Sequence, residues 1–240
     1  MNWKVRHNKK NLMALILSID TSTEKAGISL SRNGSILAIL SNSAQKEHAS
    51  WLHVAVKEMM EHAGYHMKDL DAIAISAGPG SYTGLRVSMA AAKGFCFALK
   101  IPLITENTLR IMAYAASQQR DPVSTALICP MIDARRMEVF TAVYTSDLNE
   151  VMMPQALVLD KNSFENLFSS HSIIFLGTGS LKWKEFISEQ HASKSIFIDT
   201  PFIASHLSEI AEQKWAASQF TDIISLEPVY IKEFHTHIKK

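Results

Sequence analysis

The sequence predicts an α/β protein assembled from two similar layered units. Residues 14–41 hold three short runs, apolar or alternating, with a tight turn between the last two. Helix-like and strand-like stretches then alternate to about residue 105, and from 124 a similar order of elements begins again, although the residues barely repeat. Three antiparallel strands followed by alternating helices and strands make one layered α/β unit. With 240 residues, 47% hydrophobic and 20% charged, the chain can bury a sizeable core as one large domain or two small ones.

The elements follow in order. "ALILSID" (14–20) is a continuous apolar run, "AGISLSR" (26–32) alternates, and "SILAILS" (35–41) follows the turn residues Asn33-Gly34. Residues 48–63 read as a helix with Leu52, Ala55, Val56, Met59 and Ala63 on one face, closed by Gly64. Next come the strand 72–77, a glycine-rich loop, a helix over 83–99, the strand "IPLIT" (101–105) and a connecting helix within 106–123. In the second unit, strands at 124–133 and 137–145 flank the turn "ARR", and a strand follows near 151–159. A helix near 160–169, the strand and glycine turn "SIIFLGTGS" (172–180), a further helix, a strand at 195–198 and a long helix over 203–220 complete the chain. The expected partition is therefore an extension over 1–12, lobes over 13–105 and 124–240, and the connecting helix between them.

Composition bounds the function. Cys96 and Cys129 lie in apolar runs and read as buried free thiols in a reducing compartment. Residues 1–12 carry Lys4, Arg6, Lys9 and Lys10 without an acid, leaving 20 basic against 23 acidic residues in the rest. No basic stripe suited to tight nucleic-acid binding is evident. The run "LMALIL" is too short for a secretory or membrane segment, so the chain reads as cytoplasmic, its first twelve residues a flexible extension or a start upstream of Met13.

Four stretches invite a functional reading, each with a plain structural alternative. In the loop 78–84, Gly78, Gly80 and Gly84 permit tight turns, Pro79 fixes one dihedral, and Ser81 or Thr83 can cap the next helix. Such a loop is a phosphate cradle or a tight corner; the lysine of a Walker loop is absent, because Leu85-Arg86 follows Gly84. In "IDTSTEKAG", Asp20 could hold magnesium through water while Thr21, Ser22 and Thr23 donate to phosphate, or the stretch is a polar hairpin turn. Trp51 and Val54 fall off the core stripe of their helix, either as misassigned core or as a protein-binding face. The helix 83–99 is apolar nearly all round and thin at Ala90, Ala91, Ala92 and Gly94, which fits either an internal helix or one covered by a partner. His48 and His53 are five apart, and no H-E-x-x-H or G-x-S-x-G motif occurs.

The stretches "ILSIDTST", "DLDAIAISAGPGSYTGLRVSMAAAKGFCFALKIPLI", "MIDARRMEVFTAVY" and "EPVYIK" resemble the bacterial TsaB (YeaZ) family over most of 13–232. The resemblance implies an actin/Hsp70-like fold of two ribonuclease-H-like lobes. It also implies a non-catalytic partner of the threonylcarbamoyl transferase TsaD, joined by the TsaE ATPase, that meets tRNA only through the complex. The transferase's H-x-x-x-H metal pair is not matched, since the corresponding helix begins "HASWLH". In the family, the first two helices pack on those of TsaD as a four-helix bundle. Carried over, this places Trp51, Val54, Ala55, Glu58, Arg86, Ala90, Ala91 and Gly94 at the interface, and implies a homodimer when the chain is isolated. The superfamily's phosphate loop maps to Asp20–Thr23, and Gly177 and Gly179 of "GTGS" make a weak adenosine loop. Nucleotide binding by the chain itself is expected to be weak or absent, with ATP or ADP and magnesium at the partner interface, no cofactor of its own and no metal site. The rival readings are an ATP- or acyl-phosphate-handling enzyme using Asp20 with magnesium, and a glycoprotease-like metallopeptidase.

Overall fold

Strand β1 (Leu15–Asp20) is buried along its whole length, so its sequence reads as an unbroken apolar run. In the computed structural model, which describes residues 14–44, 47–119, 125–199 and 203–231, it is the central strand of the first sheet. Antiparallel β2 (Ala26–Arg32) and β3 (Ser35–Asn42) lie to one side of it, and parallel β4 (Ala72–Ser76) and β5 (Leu103–Glu106) to the other. Asn33 and Gly34 both take positive φ, 53° and 74°, as a two-residue hairpin turn requires.

The second sheet repeats the plan. β6 (Leu127–Asp133) is central, with antiparallel β7 (Glu138–Tyr144) and β8 (Glu150–Val158) on one side. Parallel β9 (Ile173–Leu176) and β10 (Ser195–Phe197) lie on the other. The two orders, β3-β2-β1-β4-β5 and β8-β7-β6-β9-β10, match strand for strand. This is a two-lobed arrangement with a ribonuclease-H-like strand plan in each lobe, as expected from the sequence.

Helices fill three layers. Alternation along each central strand sends Leu15, Leu17 and Ile19 outward beneath α1 (His48–His62) and α2 (Tyr82–Leu99), and Ile16 inward. The inner faces of both sheets close on α3 (Thr108–Ser117) and α7 (Ile203–Ala216). The outer face of the second sheet is covered by short helices, α4 (Glu165–Phe168) and α5 (Ser180–Phe186), with Trp183 at its core; α6 (Glu189–Ala192) leads into β10. The expected helix over 160–169 shrinks to one turn because Asp160 accepts from the Asn162 amide (2.9 Å) and the Ser163 hydroxyl (3.1 Å). Such local bonds favour a turn over helix.

Buried contacts cross the boundary expected at 124. Ser29 donates or accepts at Ser208 Oγ (2.6 Å) and bonds the Ala204 carbonyl (2.7 Å), while the Ser208 hydroxyl donates to Ser18 Oγ (2.9 Å). These buried hydroxyls tie α7 to the first sheet. Residues 221–229 then return along that lobe, through Thr221 N–H to Leu103 O (2.8 Å) and Val229 N–H to Ala77 O (2.8 Å). The extension 1–12 and residues 120–123 of the expected connecting helix lie outside the described residues.

Candidate functional site

The two polar clusters read from the sequence form one junction. Asp20 ends β1, and its Oδ1 accepts from the Ser22 amide (3.1 Å), the Ser22 hydroxyl (2.6 Å) and the Ser76 hydroxyl. The residue is 1% exposed. Burial raises its pKa above the usual carboxylate value, against these donors and the nearby His48, which pull it down. The loop 78–84 lies directly on this turn: the Ser81 amide donates to Ser22 O (2.7 Å) and the Thr21 hydroxyl to Gly84 O (2.6 Å). A Cβ on Gly84 would stand 1.9 Å from Thr21 O, and one on Gly80 2.3 Å from Ser22 O, so only glycine permits this approach. Ser81 caps α2, accepting from the Gly84 amide (3.3 Å), and the Gly78–Pro79 peptide is cis. Thr83 is exposed and takes no part in the cap.

This geometry is that of the tight corner. Thr21 and Ser22 are buried, with hydroxyls engaged inside the protein, and Thr23 bonds the Lys25 carbonyl (3.3 Å). A water-held magnesium ion needs a solvent-reachable carboxylate, and Asp20 does not fit that requirement. The "GTGS" turn follows the same logic. A Cβ on Gly177, at φ +94°, would lie 2.1 Å from Met131 O, and one on Gly179 2.7 Å from Val139 Cγ1. Both glycines serve contact with β6 and β7.

Helices α1 and α2 present the other candidate. In α1 the core side comprises Leu52, Ala55, Val56, Met59 and Met60, while Val54 is 55% exposed and Glu58 lies at the surface. Trp51 divides the two readings: it is partly buried against the core of its lobe. In α2 the core side is Leu85, Ser88, Met89, Ala91, Ala92 and Cys96, and the exposed line runs through Arg86, Ala90, Gly94 and Phe97. Two expected interface residues are thereby corrected, since Ala55 (1% exposed) and Ala91 (6%) are buried in the core of the first lobe. Phe97, 67% exposed, was missed, although it stands three residues beyond Gly94 on the same helical face. Among the described residues, nothing lies within 4 Å of a Cβ placed on Gly94. A cleft of about 240 Å³ extends this surface, lined in part by His53, Lys57, Met60, Tyr65 and Phe95.

Other chemistry is not assembled here. His48 is buried at the start of α1, whereas His53 is exposed and meets the Phe95 ring edge-on at 5.5 Å. No group of three His, Cys, Asp or Glu side chains that could hold one metal ion occurs among the described residues. Cys96 and Cys129 are free and buried, and burial pushes both thiols up to about 12. No helix among the described residues is long and apolar enough to cross a membrane.

Residues 37–220 match the family model described as TsaD, tRNA N6-adenosine threonylcarbamoyltransferase. The chain is 31% identical over 224 residues to the tRNA threonylcarbamoyladenosine biosynthesis protein TsaB of Bacillus subtilis (strain 168), covering 90% of this chain and 93% of that one. It is 28% identical to the protein of the same name from Escherichia coli (strain K12), covering 90% and 94%. YeaZ from Pseudomonas aeruginosa superposes with a TM-score of 0.73 at 24% identity, over 91% of this chain and all of that one. A crystal structure of a Pseudomonas aeruginosa protein with similarity to peptidase YeaZ gives 0.78 at the same identity, over 92% of this chain; at that identity both likenesses speak for the fold. A strand plan repeated in two lobes and a relative 31% identical across nine-tenths of the sequence agree: the chain belongs to the TsaB (YeaZ) family, within the wider family that the transferase model describes.

Proposed function

We propose that this chain is a non-catalytic subunit in the formation of tRNA N6-threonylcarbamoyladenosine, and that it docks on a TsaD-type transferase through the exposed face of α1 and α2. The carrying observation is Gly94. A glycine in the middle of a helix costs about 1 kcal/mol relative to alanine, and among the described residues no neighbour makes use of the missing side chain. Ala90 and Phe97 flank it along α2 with exposed small or apolar surface, and Val54 is exposed on α1. A helix pair from the transferase, packed closely over Ala90 and Gly94, accounts for both features. The names of the relatives and of the matched family supply the pathway and the kind of partner.

The closed state of the Asp20 junction supports the non-catalytic part of the reading, because the superfamily's phosphate-contacting turn is here engaged in packing. The chain works in the cytoplasm, meets tRNA through the complex, and leaves ATP or ADP with magnesium, and the TsaE ATPase, to act at the assembled interface. Isolated, the same face pairs two copies of the chain.

The test is co-purification with the transferase of the same cell, beside the double variant Val54→Glu/Ala90→Glu, whose sites are both exposed. Wild type is expected to form a complex that modifies tRNA, and the variant to stay folded and form none. A wild-type chain that ignores the transferase yet hydrolyses ATP alone, with turnover lost in Asp20→Ala, would replace this reading with the enzymatic one.

A further inference from the structure

After α7 the chain comes back to the first lobe and is fastened there. Thr221 bonds Thr105 hydroxyl to hydroxyl (2.8 Å), the Lys93 ammonium donates to Leu226 O (2.6 Å), and the Val229 amide donates to Ala77 O. Ile223 and Leu226 pack on the same core cluster as α1 and α2. A Cβ on Gly78 would stand 2.7 Å from Val229 O, so the glycine loop itself makes room for the segment.

The segment ends at the transferase-facing side of α2. Tyr230, 41% exposed, lies with its ring 5.1 Å from that of Tyr82. Arg86 donates from Nε to the Tyr230 hydroxyl (2.9 Å), and its guanidinium carbon stands 4.0 Å from the Tyr82 ring centroid. Arg86 heads the exposed line that continues through Ala90, Gly94 and Phe97. Its partners are the two tyrosines, and it forms no ion pair with a carboxylate among the described residues.

We infer that residues 226–231 complete the transferase-binding face, and that Tyr230 is a positioning residue holding Arg86 ready for a carboxylate on the transferase. The inference rests on the reading proposed above and extends it to a part of the chain outside the two helices. Arginine and tyrosine are the residue types enriched where interface energy concentrates. A guanidinium already fixed by a hydroxyl and an aromatic face loses less side-chain freedom on binding. Its Nε–H goes to Tyr230 and Tyr82 engages the guanidinium as well, and the remaining terminal N–H donors suit paired recognition of a carboxylate. The segment is continuous with the helical face, so one partner surface can cover both.

The experiment titrates the transferase with the full-length chain and its variants at low and high salt, following affinity by calorimetry and the fold by thermal unfolding. Arg86→Ala is expected to weaken binding about 30-fold and to flatten the salt dependence; Tyr230→Ala should weaken it about 10-fold. Tyr230→Phe, which keeps the ring and removes only the hydroxyl, should lose about 3-fold with an unchanged unfolding midpoint. Wild-type affinity in both Tyr230 variants, while Val54→Glu/Ala90→Glu abolishes binding, overturns the role of the segment and leaves the helical face standing. No binding by wild type overturns both.

Discussion

The outer face of the first sheet is covered by two helices of 15 and 18 residues, packed through Leu, Val, Met and Ala. The outer face of the second is covered by helices of four and seven residues, where Phe164 and Phe175 pack on Trp183 and Phe168 packs on Phe175. Large aromatic rings bury much apolar area per residue, so two short helices can close the second lobe. Small and aliphatic side chains bury less each, and the first lobe needs two full helices. Those helices are apolar beyond their core sides, which leaves Val54 and Phe97 exposed beside Ala90 and Gly94. The second lobe also exposes Leu181 and Phe186, but on a helix of only two turns. A repeated scaffold has thus kept its sheets and altered its covers, and the cover with the longer continuous surface is the one suited to a partner.

The sharpest way to break this contrast is to empty the aromatic cover. Trp183→Ala should destabilise the chain by about 4 kcal/mol in denaturant unfolding, since Trp183 is fully buried. Its Nε1 lacks a hydrogen-bond partner among the described residues, so Trp183→Phe should cost much less, and an equally severe loss would show the contrast to be misdrawn.

Gly84→Ala comes next. Its Cβ would collide with Thr21 O in the first lobe, and the forced separation of the two backbones should cost about 2–3 kcal/mol. A wild-type unfolding midpoint would mean the junction is not tightly packed.

Gly94→Ala acts in the opposite direction. Its site is open, so the isolated chain should gain about 1 kcal/mol of stability while association with the transferase weakens. Stabilisation without weaker association would remove Gly94 from the proposed interface.

The smallest effect is a pH slope. The folded pKa of Asp20 lies above its unfolded value of 3.8, so the folded state binds more protons than the unfolded one between the two pKa values. Its contribution is fully present below the unfolded pKa and is lost as pH rises through the folded one. Asp20→Asn should flatten that part of the stability–pH curve measured by denaturant unfolding, and an unaltered curve would mean that Asp20 is not shifted.

Much of the fold was legible because burial leaves a period in the sequence. Strands covered on both faces read as unbroken apolar runs, and Asn33-Gly34 and Gly64 punctuate their elements where the chain turns. The helix expected near 160–169 was misjudged because a side-chain cap at Asp160 competes with helix, and nothing in the apolar spacing records that. The face of α1 and α2 was half legible. Helical spacing set Val54 apart from a core stripe that included Ala55, whereas the carry-over from the family placed Ala55 and Ala91 at the interface and left out Phe97.

By itself, then, the sequence determined the two repeated α/β units, the glycine corners and the excess apolar surface of two helices, because each depends on residues close together in the chain. Only the tertiary structure decided that the Asp20 turn and the loop 78–84 form one closed junction, that α7 packs on the first sheet, and that Tyr230 meets Arg86 across 144 positions. Those contacts join distant segments, and the local periods of a sequence do not say which distant segments will meet.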